Sequence, residues 1–271
     1  MAKLVICGKS NIGKEREHNE DAFLMGYIVD NKDEVYLELS LESLYTKKYG
    51  FLAAIADGIG GHSAGEVASG LTLDLLSRQF MLFPKGAFSK EEIKIALKES
   101  ILSIHNTILE TAKTNPVYSN MGTTLVGVYF TSNGFYVYHA GDSRLYRLRN
   151  NGLKQLTKDH SLIQSLIESR QITVEESYNH PQKNVIINSL GGGNTKCEPE
   201  VIDNYTAFEG DIFLLCSDGL SDMVNEDRIE KILNNERPIR VKVSELINTA
   251  NQNGGKDNIT VVLIKIIGKE E

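Results

Sequence analysis

Five acids in this sequence stand where chemistry explains them better than solvation does. Asp57, Asp142, Asp218 and Asp257 each fall at the end or at a kink of an apolar run, and Asp21 directly precedes one. No single helix or hairpin could display all five. If the strands lie side by side their ends converge, and two carboxylates about 4 Å apart repel by roughly 4 kcal/mol at an effective dielectric near 20. Cations would be needed to hold such a group. An all-oxygen donor set without paired His or Cys favours magnesium or manganese over zinc. Two such ions sharing one carboxylate can clamp a phosphate and generate a hydroxide for in-line attack.

The elements that must position these acids begin with FLAAIADGIGGHSAGE, residues 51–66. The apolar run 51–56 is too short and too apolar for a solvent-facing helix and reads as a strand buried on both faces, stopping at Asp57. Gly58, Gly60 and Gly61 allow positive φ or close backbone approach. Ser63 and Glu66 have capping-box spacing, and Ala68, Leu71 and Leu75 continue at helical period. The same residues also fit an ordinary Asp-Gly turn, and this stretch alone does not choose between the two.

Elsewhere, residues 3–7 read as an opening strand, and 8–20 as a polar segment in which Arg16, Asn19, Glu20 and Asp21 crowd together as a charged cluster or a solvated loop. Runs at 23–28 and 35–39, with turn-forming residues between, suggest a hairpin. Ser89 and Glu92 form a second capping box, and Ile93, Leu97, Ile101, Ile104 and Ile108 mark the buried face of a long helix ending before Pro116. His105 reads as a polar residue on the exposed side of that helix. From Thr123 the chain turns β-rich. Asn133-Gly134 signals a hairpin, Asn151-Gly152 suggests the meander continues, and Gly141-Asp142-Ser143-Arg144 is a bulge or an intended site within it. A helix is expected over 161–169, a strand over 212–216 running into Ser217-Asp218-Gly219, helices over 224–233 and 241–250, and a closing strand over 259–267. His160 and His180 lack ligand spacing and read as structural.

Composition narrows the function classes. The 271 residues carry a net charge of −7 with basic residues dispersed, so neither nucleic acid nor an anionic membrane is an expected partner. No apolar run approaches a membrane span and the amino terminus lacks a secretory core, so a cytoplasmic protein is expected. Cys7, Cys197 and Cys216 are too few and too scattered for a disulfide framework or a zinc site. With no linker or repeat, one domain over 1–271 is the expected organisation.

REHNED (16–21), DGIGGHSAGE (57–66), MGTT (121–124), GDSR (141–144), SDGL (217–220) and GGKDNIT (254–260) occur in that order. Together they resemble the metal-dependent protein serine/threonine phosphatases of the protein phosphatase 2C class, in the single-domain bacterial form. LTKDHS (156–161) and residues 180–191 are also similar to that family. The resemblance implies an α+β fold: two antiparallel sheets packed as a sandwich, with helices on both outer faces.

It also implies an activity: hydrolysis of phosphoserine and phosphothreonine on proteins by a water bridging two Mn²⁺ or Mg²⁺ ions, without a phosphoenzyme and opposing a bacterial-type Ser/Thr kinase. In this carry-over Asp57 bridges the ions and the Gly58 carbonyl joins one of them. Asp218 and Asp257 complete the ligands of the first ion, and Asp21 holds the second ion directly or through water, ahead of Glu20. Asp142 helps bind a weaker third ion, and Arg16 grips the phosphate. A monomer is expected. Ile59 occupies the place of a His proposed as general acid in eukaryotic members. His62 is a substitute candidate, or has a structural role beside the helix. Asn188 stands where many relatives carry Arg or Thr in the flap, and residues 31–49 are longer and more charged than in the family.

Overall fold

The computed structural model of the protein describes residues 3–61, 63–81, 88–131, 134–177, 180–193 and 196–268, without the side chains of 63, 81, 204 and 205. His62, Asn133 and the side chain in the expected Ser63 cap therefore lie outside the described residues.

Two antiparallel sheets form the centre. The first contains β1 (Lys3–Asn11), β4 (Glu34–Ser40), β9 (Arg144–Arg149), β10 (Gly152–Gln155), β13 (Ile212–Cys216) and β14 (Ile259–Ile267), in the order β10-β9-β13-β14-β1-β4. The second runs β11-β6-β5-β7-β8-β12, built from β5 (Phe51–Ile59), β6 (Gly122–Thr123), β7 (Leu125–Thr131), β8 (Gly134–Ala140), β11 (Leu190–Gly191) and β12 (Glu200–Tyr205). Onto β5 it adds β2 (Asp21–Met25), which carries β3 (Ile28–Asp30). The helices are α1 (Leu44–Tyr49), α2 (Ser63–Met81), α3 (Lys90–Thr114), α4 (Leu162–Glu168), α5 (Val174–Ser177), α6 (Asp218–Ser221), α7 (Glu226–Asn234) and α8 (Ile239–Gln252).

Period-two alternation assigns each strand's side chains to a layer. Leu4 and Ile6 of β1, Ala53 and Ile55 of β5, and Phe213 and Leu215 of β13 point between the sheets, where Phe130, Phe135 and Phe213 stack edge-on or tilted. Val5, Cys7, Leu214 and Cys216 point the other way, under α7 and α8. Ala54 and Ala56 face α2 and α3, whose Leu73, Leu97, Ile101 and Ile104 complete the opposite outer core. The result is the expected helix–sheet–sheet–helix layering. Both faces of the central strands are apolar, so these strands read as continuous hydrophobic runs.

The structure corrects five local expectations. The run at 35–39 does not pair with 23–28: β2 folds onto β3, whereas β4 crosses to the edge of the first sheet beside β1, which gives residues 31–49 a structural place. The meander does not continue past β8, because β8 and β9 belong to different sheets and the chain crosses between them at Gly141-Asp142-Ser143. β5 runs two residues beyond Asp57, to Ile59, where β6 pairs with it. His105 is buried, not exposed, and its Nδ1 accepts the Gly191 amide at 3.0 Å. At the β9–β10 hairpin the turn residues are Asn150 and Asn151, with φ of 50° and 64°, one position earlier than the Asn-Gly pair.

Candidate metal centre

The five acids lie at or near the ends of the elements that carry them. Asp57 of β5 lies directly opposite Asp21 of β2 across the strand pair. Asp218 opens α6 immediately after β13, Asp142 occupies the crossover from β8 to β9, and Asp257 precedes β14. Asp21 is buried, at 1 % exposure, and the other four are partly exposed. Burial pushes the Asp57 carboxyl well above its ordinary value, and the charges of Asp21, Asp218, Asp142 and Asp257 push it further. Asp218 is raised for the same reason, by burial and then by Asp142 and Asp257. Acids up to 236 residues apart in sequence thus act on one another.

Asp21 and Asp142 are pushed up to about 6, in both cases chiefly by burial. At Asp21 two hydroxyls oppose that push: Ser217 and Thr260 each donate to Oδ2 at 2.7 Å. Ser217 Oγ in turn accepts the Thr260 amide at 3.0 Å, so β13 and β14 together cradle this carboxylate.

Neutral residues within the same motifs hold the acids in place. The Asp57 amide donates to Thr124 Oγ1 at 3.1 Å, and the Asp57 carbonyl accepts from the Thr124 amide and from Thr123 Oγ1. Thr124 Oγ1 also meets Ser143 Oγ at 2.8 Å, tying β5 to the crossover that carries Asp142. Asn258 donates to the carbonyls of Ile12 and His18 and accepts the Glu20 amide at 2.8 Å, which fastens the 12–20 loop beside Asp257. In the sequence these residues are letters of the motifs without roles; Ser143 and Asn258 adjoin an acid, whereas Thr123 and Thr124 carry no such signal.

Two glycines permit the close approaches. A Cβ on Gly58 would stand 2.3 Å from the Gly65 carbonyl oxygen, and one on Gly219 would stand 1.9 Å from the Asn258 carbonyl oxygen. Both positions bring backbones too near for any other residue.

Arg16 reaches this group from the loop, and its guanidinium donates to Asp257 Oδ2 at 2.6 Å. That bond holds the Arg16 pKa above its usual value. Beside the loop is a cavity of about 390 Å³ lined by Ser10, Glu17, His18, Asn19 and Glu66 among others. The Glu20 carbonyl accepts the Gly58 amide at 3.1 Å and Ser69 Oγ at 2.6 Å. Arg144 of GDSR turns away from the acids and is held by both oxygens of Asp159. Asn188 and His160 meet each other, at 2.8 Å, rather than the five acids. His180 is a local turn residue whose Nδ1 accepts the Gln182 amide.

The donor set fits hard cations. Oδ1 of Asp142 and Oδ1 of Asp218 are buried with no hydrogen-bond partner, and a buried carboxylate oxygen left this way is costly. Carboxylates raised by burial and by neighbouring charges, and carrying free oxygens, are what divalent ions neutralise.

The chain matches the Protein phosphatase 2C family over residues 40–263. It is 36 % identical over 258 residues to "Serine/threonine phosphatase stp" of Listeria welshimeri, covering 95 % of this chain and 94 % of that one. The solved serine/threonine phosphatase of S. agalactiae superposes with a TM-score of 0.82 at 31 % identity, over 98 % of this chain and all of the other. The catalytic domain of the phosphatase PstP in complex with 2 manganese ions superposes at 0.77 with 30 % identity, over 99 % of this chain and 100 % of that chain. Fold, acids and sequence agree: the chain belongs to the protein phosphatase 2C family.

Proposed function

We propose that this protein is a manganese- or magnesium-dependent hydrolase that releases phosphate from phosphoserine and phosphothreonine on proteins. It acts as a single catalytic domain over residues 1–271, a cytoplasmic monomer opposing a Ser/Thr kinase of bacterial type. The observation that carries the reading is the convergence of Asp21, Asp57, Asp142, Asp218 and Asp257, with unpartnered oxygens on two of them. The likeness to serine/threonine phosphatases of Listeria welshimeri and S. agalactiae supports the phosphoprotein substrate.

In this reading Asp57, the Gly58 carbonyl, Asp218 and Asp257 would hold one ion, and Asp57 with Asp21 would hold a second. Asp142 serves a weaker third ion. When bound, such ions would supply Lewis acidity that neutralises the phosphate and lowers the pKa of a coordinated water. Arg16, half exposed on its Asp257 anchor, offers a second face of its fork to phosphate oxygens. Ser217 and Thr260 keep Asp21 ionised by donating to it. The cavity beside the 12–20 loop leaves room for residues flanking a phosphorylated side chain. His62 is the sequence's candidate for protonating the leaving oxygen.

Turnover of phosphothreonine peptides and of mononucleotides with Mn²⁺ tests this. Peptides should be preferred by at least about tenfold in kcat/KM. A preference for nucleotides would make the protein a small-ester hydrolase, and inertness towards both would make it a binding module.

A further inference from the structure

Outside the five acids, a second cluster of titratable side chains closes on itself. His139 of β8 and Glu200 of β12 are cross-strand partners, and His160 packs on them from the segment after β10. His139 Nε2 lies 3.0 Å from Glu200 Oε2, and His160 Nε2 lies 3.7 Å from the same oxygen. The two imidazoles stack with centroids 4.5 Å apart. Among the described residues this is the one group whose three ligand atoms fall within 4.8 Å of one another, and two His with a Glu are zinc-type donors.

The hydrogen bonds around His160 rule that chemistry out. Glu198 sets the Asn188 amide, since its N–H donates to Asn188 Oδ1 at 3.0 Å and its carbonyl accepts from Asn188 Nδ2 at 2.8 Å. The other Nδ2 hydrogen then points at His160 Nδ1, 2.8 Å away. The Gly141 amide points at the same nitrogen from 3.3 Å. A ring nitrogen that accepts N–H groups carries no proton, so the His160 proton is on Nε2, facing Glu200, and leaves no lone pair there for a metal.

We propose that His160 is a positioning residue for Asp142. Its Nδ1 holds the Gly141 amide and Asn188 together, fixing the crossover turn that carries Asp142. The backbone supports the same junction: the His160 amide donates to the Gly141 carbonyl, and the Ile187 amide donates to the His160 carbonyl, both at 2.9 Å. Gly141 is itself constrained, with φ of 122° and Thr124 Cβ 2.6 Å from where its own Cβ would lie. Asp142 Oδ1 is thereby aimed with no partner of its own. The inference rests on the reading of Asp142 as ligand to a weaker ion.

Mn²⁺ titration calorimetry on the wild type, His160→Gln and His160→Asn tests it. Asn keeps a polar atom near the Nδ1 position, and Gln places one near Nε2 only. In His160→Gln the weaker class of Mn²⁺ binding should lose about tenfold in affinity while the tight class holds, and His160→Asn should recover most of the loss. Unchanged weak binding in His160→Gln would overturn the proposal alone, whereas a wild type that binds no Mn²⁺ would overturn the phosphatase reading beneath it. A two-bond nitrogen–proton correlation spectrum placing the His160 proton on Nδ1 would also overturn it.

Discussion

Asp21 and Asp57 are direct cross-strand partners in β2 and β5, two acids of like charge at one register position of a buried strand pair. Opposed like charges destabilise a sheet, so this pairing is a cost to the bare fold. The same strands are otherwise apolar on both faces, which keeps the pair together regardless. A site that repels itself when empty is built to be completed from outside.

Stability should therefore depend on pH in a defined direction. Folded Asp21 and Asp142 titrate at about 6, against 3.8 as the ordinary value, so the folded chain retains protons that the unfolded chain has released. Their contribution is greatest at low pH and is lost as pH rises from about 4 through 6. In EDTA the melting temperature should be lower at pH 8 than at pH 5, and Asp142→Asn should flatten the slope. Saturating Mn²⁺ should raise the melting temperature most at pH 8. An Asp142→Asn variant with the wild-type slope would contradict the assignment.

Ser217→Ala removes one of two hydroxyls from a carboxylate that is 1 % exposed. The loss should be about 1–3 kcal/mol, read from urea unfolding. Thr260→Val should cost a similar amount, and the double variant less than the sum because the two hydroxyls share one acceptor.

Gly219→Ala would push a methyl to 1.9 Å from the Asn258 carbonyl oxygen. Asn258 fastens the Arg16 loop, so the variant should lose at least about 2 kcal/mol and bind Mn²⁺ more weakly. Gly70 makes the contrast: it lies in α2 with nothing within 4 Å of its Cβ position, and Gly70→Ala should stabilise by about 0.5–1 kcal/mol. Thermal melts of the two variants should move in opposite directions.

Arg16→Ala should raise KM for a phosphothreonine peptide by about tenfold or more with a smaller change in kcat, and Arg16→Lys should restore only part of it. Steady-state kinetics at saturating Mn²⁺ checks this. An unchanged KM would remove Arg16 from phosphate binding.

What the sequence made legible follows from where local pattern and global packing agree. The strands at 212–216 and 259–267 and the helix capped at Ser89 were readable because an unbroken apolar run or a 3.6-residue stripe admits one interpretation. The acids were readable because a charge ending an apolar run is conspicuous. The pairing of β4 with β1 and the sheet change at Gly141 were not, since a strand's partner is set by contacts that its own residues do not encode. His105 was misplaced because a lone His on a helix looks solvated until the Gly191 amide that it serves is seen. Asn188 and Thr124 look interchangeable with other polar residues until the amide each one engages is known.

The central claim is that these five acids hold divalent ions and that Asp57 is the ligand they share. Calorimetric titration of Mn²⁺ into metal-free wild type and Asp57→Asn tests it most directly. The wild type should bind about two ions tightly, and Asp57→Asn, still folded by circular dichroism, should lose about 100-fold or more in affinity. Equal Mn²⁺ binding by the two proteins, or none by the wild type, would contradict the account.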